Sequence, residues 1–219
     1  MMIDRRGFLH LSLVSSAVAC LHLAPVAALA SIHRPIVLLL GNIPQRHRFV
    51  AGFSEVMTAN EWHVKLLTTP QHDLETWTRQ LRGLRGSRLV HLGDDRDQLL
   101  LQWALAGLDA RLLCSGHHDG SPGQASRHSL QPTTPAWSYG IGLRDDLTAA
   151  GHAFVIRDAL ISAELRDHGR GNNEAPWLTV LGRRLATVVS GLPLPAVFLT
   201  ASVVEAGAQA TFATLIADL

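Results

Sequence analysis

Apolar clusters alternate with amphipathic stretches along residues 35–114, in a pattern that predicts strands and helices in strict succession. Pro35 to Gly41 is a continuous apolar run closed by glycine, as in a strand buried on both faces. Pro44 can open a helix, because its missing N–H is one that a helix's first turn leaves unbonded anyway. Phe49, Val50, Phe53, Val56 and Met57 then recur at helical spacing. Trp62 to Thr68 predicts a second strand with Trp62, Val64 and Leu66 turned inward. Asp73 to Leu84 predicts a helix striped by Leu74, Trp77 and Leu81. Arg88 to Gly93 reads as a third strand, Gln98 to Leu108 as a broadly apolar helix, and Ala110 to Cys114 as a fourth strand. Strands and helices alternating through short connections favour a parallel sheet covered on both faces.

The second half is less regular. Residues 115–135 are rich in Ser, Gly, Pro, Thr and His and predict a long loop, with room for a short strand at His128 to Leu130. A loop of that length in a compact domain is usually functional or mobile. Leu143 to Asp167 predicts a helix, broken by the stretch Gly169 to Asn173. Glu174 to Ser190 predicts another, with Trp177 and Leu181 inward. Pro195 to Glu205 and Gln209 to Ala217, either side of Gly207, predict a β-hairpin, with a helix as the alternative for the last segment.

The first thirty residues stand apart from this pattern. Asp4-Arg5-Arg6-Gly7-Phe8-Leu9-His10 resembles the twin-arginine (Tat) export motif, Ser/Thr-Arg-Arg-x-Phe-Leu-Lys, with Asp4 and His10 in place of the usual end residues. A weakly apolar stretch follows, and Ala28-Leu29-Ala30 supplies a small-x-small cleavage site. The resemblance implies passage through the Tat translocase, cleavage after Ala30 and a periplasmic location. Ala17-Val18-Ala19-Cys20 loosely resembles a lipobox, so a lipoprotein anchored at Cys20 is the alternative. Residues 1–30 are thus read as a Tat signal peptide and 31–219 as a single α/β domain. Tat cargo crosses folded, which favours a bound cofactor, a metal or a travelling partner.

Charge narrows the partners. The part after Ala30 keeps 17 of the 19 basic and 17 of the 18 acidic residues, so it is close to neutral and lacks the basic stripe of a nucleic-acid binder. Cys114 is its only cysteine, which rules out a disulfide within the mature chain.

Ligands of open α/β sheets bind outside the carboxyl ends of the strands. The residues expected there are Asn42 and Gln45 after the first strand, His91, Asp94 and Asp95 at the third, and Ser115, His117, His118 and Asp119 after the fourth, with His128 further along the loop. Trp137 and Tyr139 could line the same cleft. His91, His117, His118 and Asp119 carry the imidazole and carboxylate donors that zinc prefers, with Asp94 or Asp95 as base or supporting partner. No His-Glu-x-x-His spacing, nucleophile elbow or phosphate-binding glycine loop accompanies them.

Residues 35–120 resemble the N-terminal lobe of type I periplasmic solute-binding proteins. The resemblance rests on Ile36-Val37-Leu38-Leu39-Leu40, on Phe49-Val50-Ala51-Gly52-Phe53, and on Glu61-Trp62-His63-Val64. It implies a three-layer, mainly parallel α/β sheet, flavodoxin-like or a single binding-protein lobe, with a C-terminal helical and hairpin addition. Only about 100 residues follow Gly120, too few for a second closing lobe. The expected function is non-enzymatic: an exported protein binding a small molecule or a periplasmic or inner-membrane protein partner, in transport, sensing or redox assembly. A small zinc-dependent hydrolase built on the His/Asp group is the alternative.

Overall fold

The computed structural model describes residues 34–70, 73–121, 124–169, 176–191 and 210–219. The signal region, its cleavage site and Cys20 lie outside these residues, as does the expected strand Pro195 to Glu205. Pro35–Leu219 forms one compact unit. Among the described residues no helix is long and apolar enough to cross a membrane.

The chain runs β1 (Ile36–Leu40), α1 (Arg46–Ala59), β2 (Val64–Thr68), α2 (Leu74–Arg82), β3 (Arg88–Gly93), α3 (Asp95–Ala106) and β4 (Arg111–Gly120). It continues as β5 (Ser126–Pro132), a 3₁₀ turn at Pro135–Trp137, α4 (Gly140–Ala149), β6 (Phe154–Asp158), β7 (Leu165–Asp167), α5 (Trp177–Ser190) and β8 (Ala210–Asp218). The eight strands among the described residues join one sheet in the order β2-β1-β3-β8-β4-β5-β6-β7. The expected three-layer α/β class is present. The β2-β1-β3 part is parallel, as the alternation of elements predicts.

Helices α1, α4 and α5 cover one face through Phe49, Phe53, Leu143, Leu181 and Leu185. Helices α2 and α3 cover the other through Trp77, Leu81, Leu101 and Leu105. Each of these two is started by an aspartate: Asp73 accepts from the Glu75 and Thr76 amides, and Asp94 from the Asp97 amide at 2.7 Å. Helices α1 and α5 touch backbone to backbone. A Cβ on Gly52 would lie 2.1 Å from the Thr179 carbonyl oxygen, and one on Gly182 would lie 2.3 Å from that of Phe49.

Four local expectations are corrected. Strand β8 is no outlying hairpin arm. It lies antiparallel between β3 and β4, with His91 beside Leu215 and Leu215 beside Ser115. The long loop at 115–135 is instead the β4–β5 hairpin, because polar residues can alternate with buried ones along a strand as well as apolar ones can. The helix expected from 143 to 167 stops at Ala149. Gly151, at φ +73°, turns the chain into β6, where Phe154 and Ile156 are buried. Leu66, expected inside, is 52% exposed because β2 is an edge strand. Pro44 lies in a turn just ahead of α1, and Gln45 enters the helix from a left-handed conformation at φ +58°.

Candidate functional site

The carboxyl ends of β1 and β3 are adjacent, and the Gly41 amide donates to the Leu92 carbonyl at 2.7 Å. Asn42 and Asp94 are exposed there and Gln45 is half-buried. Asp94 is engaged as the α3 cap. His91 lies deeper, wholly buried beneath α2 and α3, with its ring edge-on to Trp77 at 6.1 Å. Neither ring nitrogen has a hydrogen-bond partner among the described residues. Burial draws its pKa down to about 3, so the imidazole is neutral. A Cβ on Gly93 would meet His91 Nε2 at 2.5 Å and Asp97 Oδ2 at 3.0 Å; one on Gly41 would meet Asp97 Oδ2 at 2.6 Å. Imidazole and carboxylate therefore fill the floor of this crevice, and glycine is needed above them.

The His117-His118-Asp119 trio is divided by strand alternation. His117 emerges on the α2/α3 face, half-exposed, with Nδ1 3.1 Å from Asp95 Oδ1. His118 points to the opposite face and is buried. Its Nε2 is 2.9 Å from Thr214 Oγ1, and its Nδ1 is 2.9 Å from His128 Nδ1. His128 Nε2 continues the chain to Ser126 Oγ at 2.9 Å. Trp177 closes over this row, stacked on Phe212 at 5.1 Å and edge-on to His128. Burial holds both imidazoles far below their ordinary pKa, His128 at about 3, so each donates through one nitrogen and accepts through the other. The chain is self-consistent as Thr214 to His118 to His128 to Ser126, every group once a donor. Tyr139, also buried, brings its hydroxyl beside Thr214 without completing a hydrogen bond, and burial raises its pKa well above the usual phenol value.

The four expected zinc donors are therefore not brought together. His91 and His117 share one face but sit two strands apart, His118 is on the other face, and Asp119 is bonded by the Thr211 hydroxyl at 3.3 Å. Among the described residues no three His, Cys, Asp or Glu side chains gather closely enough to hold a metal ion. The expected ligand cleft is likewise dispersed. Ser115 is buried mid-sheet, and Tyr139 is in the core. Trp137 packs under the Arg88 guanidinium at 4.7 Å, at the amino end of β3. Cys114 is buried, which pushes its thiol pKa up to about 12 and leaves it unreactive.

A concavity does exist on the face that carries His117. The core beneath α2 and α3 includes no side chain from β5, β6 or β7, and apart from Val155 these strands turn polar residues outward there. They form a groove of about 460 Å³ lined by His117, Asp119, Arg127, Ser129, Val155, Arg157, Glu164, Arg166 and Thr211, with the strand positions of His118 and His128 in its floor. Arg157 and Arg166 both donate to Glu164, one to each carboxylate oxygen. Those two guanidiniums hold the Glu164 carboxyl below its ordinary pKa. Of this lining, His117, His118, Asp119 and His128 were legible in the sequence; the arginines and Glu164 were not. The missed signal is the alternation Ser126-Arg127-His128-Ser129-Leu130, whose odd positions face outward once it is read as a strand. No protein family, curated protein or solved structure matches the chain.

Proposed function

We propose that the chain is an exported, non-enzymatic binding or accessory protein that holds a small polar ligand in the groove over β4 to β7. The observation that carries this reading is the groove itself: a concavity within the size range of small-molecule sites, on a sheet face that no helix covers among the described residues, lined by side chains from several strands. The export half rests on Arg5-Arg6 and the Ala28-Leu29-Ala30 site. The type I solute-binding resemblance agrees with ligand binding, although the groove lies beyond the β1-α1-β2 region that carries it. A transport, sensing or redox-assembly system is the setting, with the Tat translocase as a transient partner and no nucleic acid involved.

Two measurements test it. Replacing Arg5 and Arg6 by lysine should strand the protein in the cytoplasm, while the parent chain is recovered from the periplasm without residues 1–30. A thermal-shift screen of the purified protein against small acids, sugars and amino acids should find a ligand whose effect is lost in Ser129→Trp, which fills the groove from an exposed position. Cytoplasmic retention of the parent chain, or ligand binding indifferent to Ser129→Trp, would overturn the corresponding half.

A further inference from the structure

We infer that the ligand of this groove is a small molecule carrying two or more carboxylates, captured by Arg127, Arg157 and Arg166, with Glu164 as an internal occupant that it displaces. The inference rests on the reading of the groove as a ligand site and adds the ligand's chemistry. The pairing register places the three arginines together. Arg127 lies beside Val155 and Val155 beside Arg166, while Arg157 lies beside Ser129, two residues further along. All three side chains are exposed and line the groove. Adjacent strands are about 4.8 Å apart, so Arg127 and Arg166 stand about 10 Å apart at their Cα atoms, with Arg157 between the flanking strands. Long, flexible side chains converge easily over such a span.

The site already holds a carboxylate, that of Glu164, shared by Arg157 and Arg166. Guanidinium and carboxylate match as planar, bidentate partners, and the groove shows that match internally. Arg127 makes no ion pair among the described residues, and its cross-strand neighbour Asp119 is bonded by Thr211. The groove therefore offers one guanidinium, Arg127, that faces the Asp119 carboxylate without pairing with it among the described residues, and two more that share a single exchangeable carboxylate. A ligand with one carboxylate would gain little over Glu164, whereas one with two or three can engage Arg127 and replace Glu164 together.

Isothermal titration calorimetry of the purified protein at fixed ionic strength decides this, with citrate as probe, inorganic phosphate and acetate as competing anions, and glucose as neutral control. Citrate should bind saturably and acetate should not. Arg127→Ala should weaken citrate by about tenfold or more. Glu164→Gln should strengthen it several-fold, because the internal competitor is gone. Both substitutions are on exposed or partly exposed side chains, and circular dichroism verifies their folding. Phosphate binding without citrate binding, equal affinity in Arg127→Ala, or weaker binding in Glu164→Gln would each overturn the inference. Binding of a neutral ligand that Ser129→Trp abolishes and Arg127→Ala spares would leave the groove as a site but remove the anion chemistry. No binding by any probe or screened compound would remove both.

Discussion

Lowering the pH from 7.5 to 5.5 interrogates three imidazoles that the fold buries uncharged. His91 and His128 have pKa values of about 3 in the folded protein and His118 lies well below its ordinary value, all chiefly through desolvation. In the unfolded chain each returns to about 6.5. The unfolded state therefore binds more protons than the folded one below pH 6.5, and stability falls as pH falls from there toward about 3. At pH 5.5 each histidine shifts the balance toward unfolding by RT ln(1 + 10), about 1.4 kcal/mol, against about 0.1 kcal/mol at pH 7.5. Three together remove about 4 kcal/mol, a large part of the roughly 5–15 kcal/mol typical of a domain. For a domain of this size that corresponds to a drop in melting temperature of about 8–16 °C. Scanning calorimetry across this pH range at constant ionic strength measures it, and unfolding at pH 5.5 should take up nearly three protons. Asp146, whose carboxyl pKa burial raises, works in the opposite sense and offsets part of this loss as the pH falls. His91→Leu should reduce the uptake by one proton without loss of stability at pH 7.5, because no hydrogen bond is broken. A melting temperature unchanged between the two pH values would refute the reasoning.

Other consequences concern packing and helix ends. Gly52→Ala should destabilise by about 1–3 kcal/mol or more in urea denaturation, since its methyl group would strike the Thr179 carbonyl and force α1 away from α5. Asp94→Ala should cost about 1 kcal/mol through loss of the α3 cap, and Asp94→Asn should restore most of it. Cys114 should resist a thiol reagent in the native protein and react at once in denaturant, as free-thiol titration would show.

The first half of the fold could be read from sequence because burial there is uniform. A run such as Ile36-Val37-Leu38-Leu39-Leu40 can only be covered on both faces, and Phe49, Phe53 and Val56 mark one helix face unambiguously. The second half mixes signals. Residues 117–131 look loop-like in composition because a buried polar chain occupies the inward positions that leucine or valine would normally fill. That chain also misled the site assignment. Once His117, His118 and Asp119 are placed on a strand, neighbours in sequence become opposites in space. The position of β8 was hidden for another reason: a strand added last but inserted centrally leaves no trace in local periodicity, and only the unbroken burial of Phe212 to Ala217 sets it apart from an edge.

The groove and the buried imidazole chain are two sides of the same strand pair. Along β4 and β5 the outward residues His117, Arg127 and Ser129 alternate with the inward residues His118, Ser126 and His128. A slip of one residue in this pairing would carry Arg127 into the core and His128 out to solvent. The slipped arrangement would break the bond from His118 to His128 and leave the buried His118 Nδ1 without that partner, a cost of about 1–3 kcal/mol. An all-apolar inner row would stabilise the sheet equally well but would discriminate less sharply between registers. The hydrogen-bonded chain thus fixes which side of the hairpin Arg127 occupies, and with it the spacing from Arg157 and Arg166 that a charged ligand would meet. Substituting His118 and His128 together by leucine should therefore preserve a folded sheet while loosening ligand recognition on the far face, an effect that packing alone would not produce.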